Sequence, residues 1–139
     1  MDIFPPDKRS EIMSSIRGKN TQAEIIVFRY LRNAKIHFQA HYPRAVGKPD
    51  IALPRKKRAV FIDGDFWHGR QFYQQKDKLP SDFWRKKIQS NLDRDVTVNN
   101  SLKTSGWAVL RVWESELKRK RTRDIELERI QIFLLTGEQ

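Results

Sequence analysis

The chain has 139 residues, with 28 Lys and Arg against 17 Asp and Glu, which is a formal net charge of +11. This length favours one domain with a sizeable core, and the charge favours a polyanionic partner, nucleic acid first, over a surface that is basic only for solubility. The absence of cysteine excludes disulfides, Cys-based zinc sites and thiol catalysis, and the lack of a long apolar stretch or a secretion signal leads us to expect a cytoplasmic protein.

The first half of the chain predicts a basic arm, one helix and three short strands. Residues 1–20 are polar and basic, with a few apolar residues at helical spacing, and indicate a short helix or arm before a domain at 21–139. Thr21 to Glu24 has the pattern of a capping box, so a helix should begin there and run to about Asn33. Alternating or β-branched runs predict strands at 36–42, 50–53 and 59–62.

The second half predicts a loop, a long helix, a strand and a closing helix. Residues 64–80 are typical of a loop rich in aromatics, and a helix should follow from Ser81 to about Lys103, with Gly106 just beyond its end. The remaining segments predict a strand at 107–112, a charged connection at 114–123 and an amphipathic helix at 124–135. This order indicates an α/β fold in which a small mixed sheet is flanked by helices.

Two carboxylates fall near the ends of neighbouring predicted strands. Asp50 enters the second strand after Gly47-Lys48-Pro49, and Asp63 ends the third. One Mg²⁺ ion can accept oxygen ligands from both, and phosphodiester hydrolysis needs such an ion to polarise the phosphate and activate water. The alternative for Asp50 is a simple cap of the turn after Pro49.

Two further acids lie on helical stripes that should face inward. Glu24 shares a stripe with Phe28 and Leu31, so its carboxylate either points toward the sheet or completes the capping box. Asp95 shares a stripe of the long helix with Trp84, Ile88 and Asn91. A polar group on such a face needs a partner, so Asp95 either orients an imidazole that acts as a base or pairs with a nearby cation.

The segment Phe66-Trp67-His68 follows the third predicted strand. His68 is a candidate general base, because imidazole accepts a proton near pH 7. His37 and His41 lie in the first strand pattern and are expected to be structural or surface groups. Phe66 and Trp67 either wedge between base pairs, as apolar side chains do in proteins that kink DNA, or fill the core beneath the loop.

These motifs share their order and spacing with one known family. Over about residues 7–135 they are Lys8-Arg9-Ser10, Met13, Thr21, Glu24, Gly47-Lys48-Pro49-Asp50-Ile51, Phe61, Gly64, Phe66-Trp67-His68, Phe83-Trp84, Lys87-Ile88, Asn91, Arg94-Asp95, Gly106-Trp107-Ala108-Val109-Leu110 and Val112-Trp113-Glu114. Together they resemble the very short patch repair (Vsr) endonucleases, a branch of the PD-(D/E)XK nucleases with the restriction-endonuclease-like fold.

The resemblance implies a Mg²⁺-dependent enzyme that nicks one DNA strand 5′ of the mispaired thymine in T:G mismatches, which arise when 5-methylcytosine deaminates. Carried over by position, Asp50 and the backbone carbonyl of Ile62 would hold the metal. His68 would be the general base with Asp95 orienting it, and Glu24 would hold metal-bound water.

The resemblance also implies how DNA is bound. Phe66, Trp67 and Trp84 would intercalate, and residues 1–20 would clamp the duplex. The basic and polar contacts expected are Lys8, Arg9, Arg17, Lys19, Lys48, Asn91 and Arg94. We expect a monomer acting at the bacterial nucleoid, with T:G-mismatched duplex DNA as partner and other mismatch-repair proteins as further candidates.

The chain departs from the family at two places. The positions that match the family's Cys and His ligands of a structural zinc hold Asp65, Arg70, Phe72 and Ser115. No structural zinc is therefore expected, and packing by Phe72 and Tyr73 or an ion pair of Asp65 with Arg70 would replace it. A family histidine is also replaced by Asp63, which either adds a carboxylate to the metal site or weakens the mechanism.

Two alternatives to T:G mismatch repair stay open. One is a nicking or restriction endonuclease of the same fold with relaxed or different specificity. The other is a catalytically inactive DNA-binding homologue.

Overall fold

The computed structural model describes residues 21–65 and 82–139, and the statements below concern those residues. The helices are α1 (Gln22–Asn33), α2 (Asp82–Thr104), α3 (Glu114–Lys118) and α4 (Lys120–Thr136). The strands are β1 (Gln39–Ala40), β2 (Ile51–Leu53), β3 (Arg58–Asp63) and β4 (Ala108–Trp113). The N-terminal arm expected at 1–20 lies outside the described residues, and none of the described helices is both long and apolar enough to cross a membrane.

The strands form one mixed sheet in the order β1-β2-β3-β4. The first three strands are antiparallel neighbours, and β3 pairs with β4 in parallel, with Val60 opposite Leu110. A parallel pair requires a long crossover connection, and the connection between β3 and β4 contains α2. The prediction of an α/β fold with a small mixed sheet flanked by helices is confirmed.

Helices cover both faces of the sheet because successive strand residues point to opposite sides. On one face, Val60 and Leu110 pack in the larger core cluster with residues of α1, α3 and α4. On the other face, Phe61 and Val109 pack in a smaller cluster with α2 residues, among them Leu102. The same alternation places residues 63 and 111, two positions beyond Phe61 and Val109, on the α2 face, which is where the candidate site forms.

The predicted strand at 36–42 is wrong except for Gln39–Ala40. The partner strand β2 ends at Leu53 and a turn follows, so this register places no strand residue opposite residues 36 and 37. Regular strand geometry ends after Ala40, where His41 has a left-handed backbone conformation with φ of 49°, although the His41 N–H still donates to Asp50 O.

The predicted charged connection at 114–123 is also wrong, since these residues form α3 and the first turn of α4. The buried side chain of Leu117 attaches α3 to the core. One apolar residue in a charged run carries no periodicity, so only the tertiary contact reveals the helix.

Candidate active site

A tight turn brings Asp50 to the edge of the sheet. Gly47 and Lys48 both have positive φ, 80° and 51°, and the Lys48 N–H donates to Ala45 O at 3.1 Å. A Cβ on residue 47 would lie 2.6 Å from Cγ1 of Val98, so only glycine lets α2 approach this closely. The turn therefore sets both the entry of β2 and its distance from α2.

The Asp50 carboxylate is anchored by the neighbouring strand. Its Oδ2 accepts a hydrogen bond of 2.7 Å from the Ile62 N–H, and its Oδ1 lies 3.8 Å from Nδ1 of His41. Burial raises the pKa of Asp50 to about 7, and the Glu24 and Asp63 carboxylates act in the same direction. The Ile62 hydrogen bond and His41 oppose this rise. Near neutral pH, the Asp50 carboxyl is therefore only partly ionised, because the positive charge around it does not offset its burial.

Glu24 and His41 complete a cluster with Asp50. Thr21 Oγ1 accepts the Glu24 N–H at 3.3 Å, which confirms the predicted N-cap, while the buried Glu24 carboxylate faces His41. Glu24 Oε2 lies 3.0 Å from His41 Nε2, but the two groups do not have hydrogen-bond geometry. Within the described residues, Nε2 is thus a buried polar atom that makes no hydrogen bond, an arrangement that proteins normally avoid.

This donor set fits a divalent cation. One ligand atom from each of Glu24, His41 and Asp50 lies within 4.8 Å of the others. The buried carboxylate of Glu24, the half-buried carboxylate of Asp50 and an imidazole nitrogen of His41 offer three donors to a single positive ion. Buried acids also need such a compensating charge, because ionised carboxylates are costly to desolvate.

His41 was expected to be a structural or surface group, and its place in this cluster was missed. The signal was in the register of the β1–β2 pair rather than in any motif. Ala40 lies opposite Ile51 in this antiparallel pair. His41, which follows Ala40, therefore lies beside Asp50, which precedes Ile51. The His41 N–H donates to Asp50 O at 3.0 Å.

Glu24 and Asp50 of this cluster line a cleft of about 500 Å³ between the sheet edge, α1 and α2. Many of the residues singled out in the sequence line it: Glu24, Lys48, Asp50, Ile62, Asp63, Asn91, Arg94 and Asp95. Lys87 adds a further cation to the wall formed by α2. Acids thus occupy the floor while basic side chains approach from the sides, which suits a phosphate held over a metal ion.

Arg111 is a central cleft residue that no sequence pattern identified. Its Nη1 donates to both carboxylate oxygens of Asp63 at 2.9 and 3.1 Å, and its Nε donates to Asn99 Oδ1 at 2.8 Å. The same Nη1 lies 3.5 Å from Asp95 Oδ1, and the guanidinium stands 4.2 Å from the centroid of the Phe61 ring.

The hydrogen bonds between Arg111 and Asp63 bear on the expectation that Asp63 adds a carboxylate to the metal site. The side chain of Asp63 is 7% exposed, and both of its oxygens accept hydrogen bonds from one guanidinium. A carboxylate held in this way already has its charge compensated. The geometry therefore gives Asp63 a structural partner in Arg111 and does not support its expected role as a metal ligand.

Two of the four zinc-equivalent positions face each other. Asp65 Oδ1 accepts the Ser115 N–H at 3.1 Å, and Asp65 Oδ2 accepts the Ser115 hydroxyl at 2.6 Å. These bonds join the end of β3 to the first turn of α3. The other two positions, Arg70 and Phe72, lie outside the described residues, as does Tyr73.

The predicted DNA-reading residues are described only in part. Trp84 is half-buried at the start of α2 and meets the exposed Phe83 edge-on, with ring centroids 5.2 Å apart. His68, Phe66, Trp67 and the four basic residues of the arm, Lys8, Arg9, Arg17 and Lys19, lie outside the described residues.

Carboxylates and an imidazole near the edge of a mixed sheet, beside a cleft that cations also line, suit a metal-dependent nuclease. Comparison with known proteins agrees. The family model "DNA mismatch endonuclease Vsr" matches residues 1–74, and the chain belongs to this family.

Three relatives show the same kinship over most of the chain. The type II nicking enzyme V.NmeAIP of Neisseria meningitidis serogroup A is 40% identical over 86% of both chains. V.NmeDIP, from serogroup C of the same species, is 35% identical over 88% of this chain and 84% of its own. The DNA mismatch endonuclease Vsr of Escherichia coli is 30% identical over 84% of this chain and 76% of its own. The chain is accordingly a DNA nicking endonuclease.

Proposed function

We propose that this endonuclease acts at T:G mismatches and nicks the strand that carries the mispaired thymine on its 5′ side, with Mg²⁺ as the activating ion. The observation that carries the proposal is the grouping of Glu24, His41 and Asp50, two of which, Glu24 and Asp50, line a cleft that basic side chains also line. The names of the relatives support it, since they include both nicking enzymes and a mismatch endonuclease.

The chain's own residues have distinct tasks in this proposal. Asp50, whose Oδ2 accepts the Ile62 N–H, would hold the ion with its other oxygen, and the Ile62 carbonyl would be a second ligand. Glu24 would bind the ion through one carboxylate oxygen and orient the attacking water with the other. An ion bound there supplies the charge that polarises the scissile phosphate and lowers the pKa of water.

The proton of the attacking water goes to His68, the proposed general base. Asp95 orients that imidazole from α2. Arg111, 3.5 Å from Asp95 and hydrogen-bonded to Asp63 and Asn99, limits the movement of the Asp95 carboxylate. This assignment makes Asp95 a positioning residue and keeps the proton transfer at His68.

The cleft walls and the N-terminal arm bind the duplex in our proposal. Lys48, Asn91 and Arg94 contact the backbone near the scissile phosphate, and all three line the cleft. Residues 1–20 form a DNA-clamping arm outside a catalytic domain at 21–139. Insertion of Phe66, Trp67 and Trp84 opens the mismatched step, which is easier to unstack than a paired one.

A second candidate function is nicking with a different or relaxed specificity. It is favoured by the names of V.NmeAIP and V.NmeDIP, which are type II nicking enzymes. Both candidates place the enzyme at the nucleoid, where other mismatch-repair proteins are candidate partners.

The test is a nicking assay on an end-labelled duplex with one T:G mismatch, run beside its T:A control with Mg²⁺ and with EDTA. We expect a Mg²⁺-dependent nick 5′ of the mispaired thymine in the first duplex alone. Equal cutting of both duplexes would favour relaxed specificity. Binding of both without cleavage would show an inactive DNA-binding protein. Asp50→Ala should abolish nicking and leave DNA binding intact.

A further inference from the structure

The Glu24–His41–Asp50 cluster differs from an all-oxygen magnesium site because it includes a nitrogen donor. We propose that His41 is a direct ligand of the ion held by Glu24 and Asp50, and that the site consequently prefers a first-row transition ion such as Mn²⁺ or Co²⁺ to Mg²⁺. This inference rests on the proposed metal-dependent nuclease function and concerns the relative affinity of the site for different ions, whereas Mg²⁺ is the activating ion of the proposed reaction.

The distance between the donors supports direct ligation. Nε2 of His41 and Oε2 of Glu24 are 3.0 Å apart. Two neighbouring ligands of an octahedral ion with bonds of about 2.1 Å are separated by about 3 Å. Nε2 is buried and makes no hydrogen bond in the part of the chain that the structure describes, so a bound cation between Nε2 and the Glu24 carboxylate would satisfy both groups.

The surroundings of His41 hold the imidazole in place. Its ring meets Phe28 edge-on, with centroids 5.8 Å apart and planes at 90°. Its backbone N–H donates to Asp50 O at 3.0 Å, and the Tyr42 N–H donates to Pro49 O at 2.9 Å. These contacts secure His41 beside Asp50 before any ion binds, as supporting contacts do for metal-binding histidines.

The nitrogen ligand determines the preference among metals. Imidazole is a common ligand of transition metals, whereas Mg²⁺ takes oxygen from carboxylates, carbonyls and water. A site with one imidazole and two carboxylates should therefore bind Co²⁺ more tightly than Mn²⁺, following the usual order of divalent ions, and both more tightly than Mg²⁺.

The variants are chosen to leave the backbone unchanged. His41 has φ of 49°, a region that asparagine tolerates and alanine disfavours, so His41→Asn removes the imidazole without adding backbone strain. His37→Asn is the matched control, because it makes the same chemical change at an exposed residue of the same connection.

The full-length protein is freed of metal with EDTA and dialysed. It is then titrated with CoCl₂, MnCl₂ and MgCl₂ by calorimetry in the absence of DNA. The visible spectrum of the Co²⁺ form is also recorded. We expect the wild type and His37→Asn to bind Co²⁺ about tenfold or more tightly than Mg²⁺. His41→Asn should lose about tenfold or more in Co²⁺ affinity, with an altered Co²⁺ spectrum, while its Mg²⁺ affinity stays close to the wild-type value.

Equal Co²⁺ affinity in His41→Asn and the wild type would overturn the proposal, as would a wild type that binds Mg²⁺ as tightly as Co²⁺. A second measurement needs no variant: in the ¹⁵N NMR spectrum, substoichiometric Mn²⁺ should broaden the His41 ring resonances before those of His37. The reverse order would also refute ligation. Since none of these readouts involves DNA, their failure is separate from failure of the mismatch assay.

Discussion

Replacing Asp50 by asparagine should stabilise the metal-free protein while abolishing nicking. Burial raises the pKa of this carboxyl from 3.8 to about 7, so its ionisation opposes folding. Asparagine has nearly the same shape, carries no charge and retains an oxygen that can accept the Ile62 N–H. The substitution therefore removes the cost of ionisation and preserves the hydrogen bond.

The magnitude follows from the pKa difference. A rise of about three pKa units corresponds to about 4 kcal/mol, because each unit is worth about 1.4 kcal/mol. Since the folded-state pKa is the higher one, the stabilising contribution of Asp50 is fully present below about pH 4 and is lost as the pH rises to about 7. For a chain of this size, 4 kcal/mol shifts Tm by about 10 °C.

The assay is thermal unfolding in EDTA at pH 5 and pH 8. Asp50→Asn should melt about 10 °C above the wild type at pH 8, and the difference should roughly halve at pH 5, where Asp50 is protonated in the folded protein. The control Asp124→Asn makes the same change at an exposed residue and should leave Tm unaltered at both pH values. A variant that is equally or less stable than the wild type at pH 8 would refute the argument.

Three further predictions concern residues around the cleft, each measured by urea unfolding. Gly47→Ala should destabilise more than Gly106→Ala: both residues have positive φ, which costs about 1–2 kcal/mol for alanine, but only at residue 47 would the Cβ clash, 2.6 Å from its neighbour. Arg111→Met should cost about 3–5 kcal/mol by leaving the buried Asp63 carboxylate without its cation, and adding Asp63→Asn should recover most of this loss. Asp65→Ala should cost about 1–3 kcal/mol, because it removes two hydrogen bonds to the first turn of α3.

Each of these has an outcome that contradicts it. Equal losses for the two glycine variants would show that α2 adjusts freely to a side chain at residue 47. A double variant no more stable than Arg111→Met would mean that Arg111 stabilises the protein by packing on Phe61 rather than by pairing with Asp63. A neutral Asp65→Ala would leave the link between β3 and α3 without a stabilising role.

The site combines stability costs with catalytic needs. Within the Glu24–His41–Asp50 cluster, ionisation of Asp50 destabilises the fold and Nε2 of His41 is buried. The buried charge of Asp63, in contrast, is compensated by Arg111. Asp50 can therefore still bind a metal cation, whereas the charge of Asp63 is already paired with the Arg111 guanidinium. For this reason we expect Asp50 to bind the metal and Asp63 to stabilise the fold, although both lie at the ends of adjacent strands.

The local elements follow from the sequence because short-range rules govern them. The cap at Thr21, the end of α1 at Asn33 and the strand β3 match the predictions from spacing and capping. The stripe of Asn91 and Asp95 predicted an inward-facing side of the long helix, and in the structure both residues line the cleft. Periodicity places a residue on a face, and that information is contained within a few turns of chain.

Partners distant in sequence were determined by the tertiary structure alone. Arg111 reaches Asp63 across 48 residues, and Ser115 reaches Asp65 across 50. The meeting of His41 with Glu24 likewise depends on how the β1–β2 pair packs against α1. Composition, charge and motif order therefore determined the class of protein and most of the cleft residues. The pairing of charges inside the cleft depends instead on strand register and helix packing. The physical reason is that the sequence assigns a side chain to a face of its helix or strand but does not specify the group opposite it.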